Sequence, residues 1–226
     1  MRFKKGSRQL RLILLHKKSE KQFQKLPVTF STFFRLTNIE LPALDLLKKM
    51  AATWQLPALP NRIKDFYYKF LYNKLPINTR LSHMLQNTPV DRSCTFCTIT
   101  KTLPAPEETF AHTFWHCPTT QNIYINVTQH FIPELEQYNE DDAKKFFLTG
   151  NNNNSFPLIV EILRLTTLYQ IWEMHQKKKV WQWGTFRINL SYEIKKITDT
   201  TSRNKLGLNT GFHLAVHWNN LFPNTW

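Results

Sequence analysis

The chain has 226 residues, 42% of them apolar and 14% aromatic, enough to bury one substantial core and too many for a disordered chain. With only five glycines and no G-x-G-x-x-G or G-x-x-x-x-G-K-[ST] pattern, it offers no glycine-rich phosphate cradle. The formal net charge of +14 is unevenly spread, because residues 1–35 hold ten Lys/Arg against one acid, Glu20.

That asymmetry reads as a basic arm for a polyanion, nucleic acid ahead of an anionic membrane surface. Arg2, Lys4, Lys5, Arg8, Arg11, Lys17 and Lys18 are its candidate phosphate contacts. Leu12 to Leu15 is the longest early apolar run, far short of a signal-peptide core or a spanning helix. An acid-poor basic N-terminus is common to nuclear arms and mitochondrial presequences. Three cysteines are an odd number for a disulfide framework and favour a reducing compartment. The expectation is an intracellular protein, nuclear ahead of mitochondrial, with no membrane partner and no small-molecule substrate.

The arm, residues 1–35, runs into VTFSTFFRLT (28–37), which reads as extended. From NIELPALDLLKKMAATW onward the period becomes helical, with Leu44, Leu47, Lys48, Ala51 and Trp54 along one side until LPALP (56–60) ends it. Asn61 then caps a helix in which Ile63, Phe66, Tyr67, Phe70 and Leu71 follow the i, i+3, i+4, i+7, i+8 pattern. Arg62, Asp65, Lys69 and Tyr72 fall on its other face. Asn78 or Thr79 starts a short helix expected to bury Leu81, Met84 and Leu85. Arg62, Lys69, Lys74 and Arg80 form a second candidate basic patch.

All three cysteines and two of the eight histidines lie within residues 94–117. Cys94-x2-Cys97 is a two-thiolate turn, and His112-x4-Cys117 supplies two further donors. Cys3His satisfies a tetrahedral structural zinc, whose four protein ligands leave no open position for catalytic water. Residues five apart on an α-helix differ by about 140° and 7.5 Å, so His112 and Cys117 need a helix that starts or distorts between them, or an imidazole long enough to reach. His116 is the alternative ligand if the turn winds differently. A redox role for Cys94 and Cys97 lacks the surrounding βαβ pattern, and neither H-x-E with P-C-x-x-C nor H-E-x-x-H is present.

These residues carry a resemblance. FYYKFLYNKLPINTRLSHML, followed by CTFC and then EETFAHTFWHCP, resembles the zinc-binding domain found downstream of the polymerase in non-LTR retrotransposon reverse transcriptases. The shared positions are Leu75-Pro76, Thr79-Arg80-Leu81, Cys94, Cys97, Glu108-Thr109, His112, Phe114, Cys117 and Pro118, within roughly residues 61–124. The resemblance implies His112 as the third ligand and one structural zinc per chain. The spacer from Cys97 to Glu108 is longer than that family's and holds Pro104 and Pro106. No Tyr-x-Asp-Asp hairpin of a polymerase palm is present. YNEDDAKKF (138–146) reads instead as an acidic helix start, with Asp141 and Asp142 at the positive N-terminus.

TGNNNNSFP (149–157) is a polar linker. Beyond it, LIVEILRLTTLYQIWEMHQKKKV is apolar nearly all round, with Ile159, Leu163, Leu168, Ile171 and Trp172 prominent, as in a helix packed against protein. Trp181 and Trp183, after Lys177–Lys179, are the tryptophans best placed to meet nucleic acid, although packing is their more ordinary role. Residues 185–201 form an amphipathic helix on Phe186, Leu190, Ile194 and Ile197. His83, His130, His175, His213 and His217 belong to no recognised catalytic arrangement.

The chain is therefore expected to be mainly α: a basic arm (1–35), a small helical bundle around a Cys3His zinc knuckle (36–148), the Asn-rich linker (149–157) and a helical C-terminal extension (158–226). The expected function is a non-catalytic, zinc-binding module that holds RNA or DNA through phosphates, with a reverse transcriptase polymerase portion in trans as a further candidate partner. The rival expectation is a protein–protein scaffold docking through the helix 158–174 and the aromatic C-terminus HLAVHWNNLFPNTW.

Overall fold

The structure, a computed structural model, describes residues 28–37, 39, 59–85, 89–102, 104–133, 139–150 and 158–203. In chain order the elements are α1 (Val28–Thr37), α2 (Asn61–Leu71), α3 (Asn78–Met84), α4 (Thr95–Ile99), a π-helical turn (His112–His116), α5 (Pro118–Phe131), α6 (Glu140–Thr149), α7 (Leu158–Gln176) and α8 (Trp183–Arg203). The extended pairing described is an isolated bridge between Ser93 and Glu107. The protein is a small helical bundle, as its periodicity predicts.

α7 is the central helix, and its composition explains why. Ile159, Val160, Ile162, Leu163, Leu165, Leu168 and Ile171 are all buried, so most of its surface packs against protein, with Glu161, Glu173 and Gln176 left toward solvent. It packs on α2 and α8. α2 presents the expected Ile63, Phe66, Tyr67, Phe70 and Leu71, and α8 presents Phe186, Leu190, Ile194 and Ile197. Side chains from both sides of the 149–157 stretch thus share one hydrophobic core.

Three expectations need correction. VTFSTFFRLT is a helix rather than an extended segment. Its phenylalanines favour a strand intrinsically, but Phe33 and Phe34 are buried and Phe33 meets Phe70 and Phe110 edge-on, so packing overrides propensity. α3 buries none of its residues, and Met84 and Leu85 are 64% and 47% exposed. Its position is set by polar contacts to the knuckle instead. Asn61 is the first helical residue of α2, with Pro60 in the cap position and no side-chain cap bond. The helix expected around Leu44–Trp54 lies outside the described residues, as do the basic residues of the arm and HLAVHWNNLFPNTW.

A buried cation ties the central helix down. Arg164 is fully buried, pairs with Glu161 through Nε and Nη2 (2.8 and 2.6 Å), and donates through Nη1 to the Phe147 carbonyl at 2.8 Å. Its guanidinium lies 5.5 Å from the centre of the Tyr67 ring. Burial opposes its charge, but Glu161 and Tyr67 more than compensate and hold its pKa above the ordinary value. The Phe147 carbonyl belongs to the last turn of α6, where backbone acceptors lack helical partners. α6 itself begins as its sequence predicts: Asn139 accepts from the Asp142 amide at 2.9 Å, and Glu140, Asp141 and Asp142 fill the first turn.

Candidate metal centre

The two arms of the knuckle are zipped by backbone bonds. The Cys94 amide donates to the Pro106 carbonyl at 2.8 Å, and the Glu108 amide to the Arg92 carbonyl at 2.7 Å. Cys94 occupies the cap position of α4 in extended conformation, and Cys97 sits inside that helix. α4 closes after one turn: the Lys101 amide bonds the Thr98 carbonyl and the Thr102 amide the Cys97 carbonyl, with Lys101 left-handed at φ 57°.

The spacing problem between His112 and Cys117 is solved by backbone geometry. His112–His116 is a π turn, and the Cys117 amide donates to the His112 carbonyl at 2.7 Å. An i→i+5 closure brings residue five round toward residue zero, which a regular α-helix does not do. The turn leaves carbonyls without helical partners, and side chains of α5 satisfy two of them. Thr120 donates to the Thr113 carbonyl and the Tyr124 hydroxyl to the Phe114 carbonyl, both at 2.8 Å. Phe114, Trp115 and Thr113 point into the core, and Phe114 meets Phe70 edge-on with centroids 4.9 Å apart.

The result is a cluster of four ligand atoms, from Cys94, Cys97, His112 and Cys117, all within 4.8 Å of one another. Cys117 Sγ lies 4.0 Å from Cys94 Sγ and 3.9 Å from Cys97 Sγ, and Cys97 Sγ lies 3.4 Å from His112 Nε2. His116 is exposed and stands outside the group. Such a set can hold a metal ion.

Electrostatics separates the three thiols. Cys117 is held low, to about 4, first by the bond from the Cys94 thiol and then, against burial, by His112 and the amides of Thr120 and Thr119. The last two are the opening donors of α5, which Cys117 caps, and a helix N-terminus favours a thiolate. Cys94 is raised by donating to Cys117 and by burial, while burial followed by the neighbouring charge of Cys117 pushes Cys97 up to about 11. The setting thus favours the thiolate at Cys117, and a cation would draw out the others.

Glu108 is the organiser that motif reading did not assign a role. It is fully buried, yet its Oε1 accepts from the Asn78 amide at 2.7 Å and its Oε2 from the Thr95 amide at 2.8 Å. One carboxylate thereby caps α3 and α4 at once. The Thr79 hydroxyl adds a bond to the Glu108 carbonyl at 2.7 Å. His175, from the far end of α7, brings Nε2 to 2.8 Å of Oε2, a close contact outside hydrogen-bond alignment. Burial alone would raise the Glu108 carboxyl, but His175 and the two amides outweigh it and hold it below the usual range.

The proposed basic residues of the folded part are already engaged. Arg62 pairs with Glu193 and lies over the Tyr169 ring. Lys69 pairs with Asp65 at 2.6 Å. Lys74 sits 5.6 and 5.8 Å from the ring centres of Tyr68 and Tyr72, and Arg80 donates to the Asn73 carbonyl.

Fold and site together define a mostly helical protein with a buried Cys3His cluster. Comparison with known protein families, curated proteins and solved structures finds no significant match. Among the described residues, no helix is long and apolar enough to cross a membrane.

Proposed function

We propose that the protein is a non-catalytic zinc-binding module that binds nucleic acid, of the kind found downstream of the polymerase in non-LTR reverse transcriptases. The observation that carries the reading is the donor set. A tetrahedral zinc with metal–sulfur bonds of about 2.3 Å places its sulfurs about 3.8 Å apart, and the sulfurs of Cys97 and Cys94 lie 3.9 and 4.0 Å from that of Cys117. Cys94, Cys97, His112 and Cys117 would hold the ion, which would supply a cross-link between α4, the π turn and the start of α5. With four protein donors the ion is structural.

Nucleic acid is the partner favoured by charge: +14 overall, with the excess concentrated before residue 36. Contacts from Arg2, Lys4, Lys5, Arg8, Arg11, Lys17 and Lys18 to RNA or DNA phosphates give affinity with little sequence choice and a steep salt dependence. A polymerase portion acting in trans and a nuclear location accompany this reading. The scaffold alternative draws no support from α7, whose apolar residues are consumed by the chain's own core.

The deciding experiment is zinc content of the purified chain beside a Cys94→Ser/Cys97→Ser variant, followed by titration with labelled RNA and DNA at several salt concentrations. One zinc per chain, lost in the variant, with binding that weakens as salt rises, supports the module. A metal-free stable chain removes the zinc reading, and salt-insensitive association with protein alone removes the nucleic-acid reading.

A further inference from the structure

The outward side of α8 carries side chains that the core does not use. Phe186, Leu190, Ile194 and Ile197 bury one side of the helix, and a turn of about 100° per residue places Thr185, Ile188, Asn189, Tyr192 and Lys196 toward solvent. Ile188 and Tyr192, one turn apart, are 66% and 63% exposed, and Val180, in the turn before the helix, is 61% exposed. Lys179 and Val180 share a cleft wall with Thr185 and Asn189, so the strip runs back from α8 into that turn. The carboxylate in the cleft, Glu173, is paired with Lys177 at 2.8 Å.

Charge says what kind of partner fits this strip. Residues 177–197 hold six Lys/Arg against one acid, Glu193, and Glu193 is paired with Arg62. Lys178, Lys179 and Arg187 are exposed and form no ion pair among the described residues. The basic run stops at the exposed Asp199. Such a field draws a polyanion ahead of a neutral protein surface. Tyr192 has no ring, cation or hydrogen-bond partner among the described residues, and an uncovered aromatic ring suits the flat face of a base.

We propose that the outward face of α8 binds single-stranded nucleic acid, with the Tyr192 ring stacked on an unpaired base and Lys179 and Lys196 meeting phosphates on either side of it. Lys196 stands one turn beyond Tyr192 on the same side of the helix, and Lys179 lies beside the other end of the strip. Stacking on an aromatic ring and phosphate contact are common to RNA and DNA, so the face accepts both. Bases inside a duplex keep their faces covered, so a duplex gains only the phosphate contacts. The inference rests on the nucleic-acid reading above and gives it a second surface, on the folded part of the chain and away from the basic arm.

The test uses the full chain and fluorescence anisotropy with a labelled 12-nucleotide RNA, the DNA of the same sequence, and that DNA as a duplex. Tyr192→Leu keeps an apolar side chain and removes the ring, while Tyr192→Trp keeps a ring. Because the side chain is exposed, both variants should melt with the wild type. Tyr192→Leu should bind both single strands about tenfold more weakly with duplex binding unchanged, and Tyr192→Trp should match or exceed the wild type. Lys179→Gln/Lys196→Gln should reduce the single-strand salt slope by about 1.4, at about 0.7 per phosphate contact. Unaltered single-strand affinity in Tyr192→Leu, or an unaltered slope in the lysine variant, would overturn the α8 face while leaving binding by the arm standing. No binding to any of the three probes would overturn both. Equal losses for strand and duplex in Tyr192→Leu would overturn the stacking. Self-association, or binding to phosphatidylserine vesicles, that Tyr192→Leu abolishes while strand affinity stays intact would give the face to a second copy or to a lipid surface instead.

Discussion

His175 Nε2 and Glu108 Oε2 lie 2.8 Å apart, both buried, joining the last turn of the central helix to the carboxylate that starts two helices of the knuckle. The imidazole is held between Trp172, stacked at 5.2 Å with an interplanar angle of 14°, and the edge of Phe96 at 5.7 Å. Phe96 lies between the two ligands of the CxxC turn. The Cys3His cluster is thus fastened to α7 through ring packing and the Glu108–His175 contact.

Glu108→Gln should destabilise the fold by about 1–3 kcal/mol at neutral pH, because an amide group would face a helix-start donor where a carboxylate oxygen now accepts. The Glu108 carboxyl is held below its ordinary value of 4.5, so its contribution is complete above that pH and is lost as pH falls through the lowered folded value. The gap between wild type and variant should therefore close under acid. Urea unfolding of both proteins at identical metal load, from pH 7 down to 3, measures the gap directly, and a constant gap would contradict the assignment.

His112→Ala should abolish stoichiometric metal binding, while His116→Ala should retain it. The π turn aims His112 at Cys97, 3.4 Å away, and leaves His116 in solvent. Cobalt substitution reports the outcome through its thiolate absorption. Equal cobalt spectra in the two variants would mean that three thiolates suffice.

Zinc uptake should release protons and weaken as pH falls, since Cys94 and Cys97 are raised above the ordinary thiol value and both must ionise to bind. Isothermal titration in two buffers of different ionisation enthalpy counts the protons. Uptake without proton release would show that the thiols are already ionised.

Arg164→Met should cost about 3–5 kcal/mol, because Glu161 loses its partner and the Phe147 carbonyl its donor. Combining it with Glu161→Gln should recover part of that loss, as only the unpaired charge is removed. Thermal melts of the single and double variants give the coupling. Additive losses would show that the pair is energetically independent.

Gly150→Ala should destabilise by more than about 1 kcal/mol. Gly150 ends α6 at φ 72°, and an added Cβ would stand 3.0 Å from Glu161 Oε2 and 3.3 Å from Arg164. A melting temperature equal to wild type would mean that the ion pair shifts aside freely.

Much of the bundle is legible in the periodicity. The buried faces of α2 and α8 repeat at helical spacing, and α7 is rich in apolar residues around most of its circumference. α1 is misread because its local residues favour a strand and only Phe70 and Phe110, distant in sequence, make its helix worthwhile. α3 is misread for the opposite reason: its apolar residues suit a core, but Glu108 and Ser93 hold Asn78 at the knuckle instead.

The same division runs through the site. Cysteine and histidine spacing by itself determined the candidate ligand types and showed that a regular helix fits His112 and Cys117 poorly, because donor chemistry and the pitch of an α-helix are local properties. The choice of a π turn, the exclusion of His116, and the roles of Glu108, His175 and Arg164 were decided by tertiary structure. The π turn depends on α5 side chains that reach its carbonyls, the roles of Glu108, His175 and Arg164 depend on contacts made by α7, and no local pattern encodes a contact between residues 108 and 175.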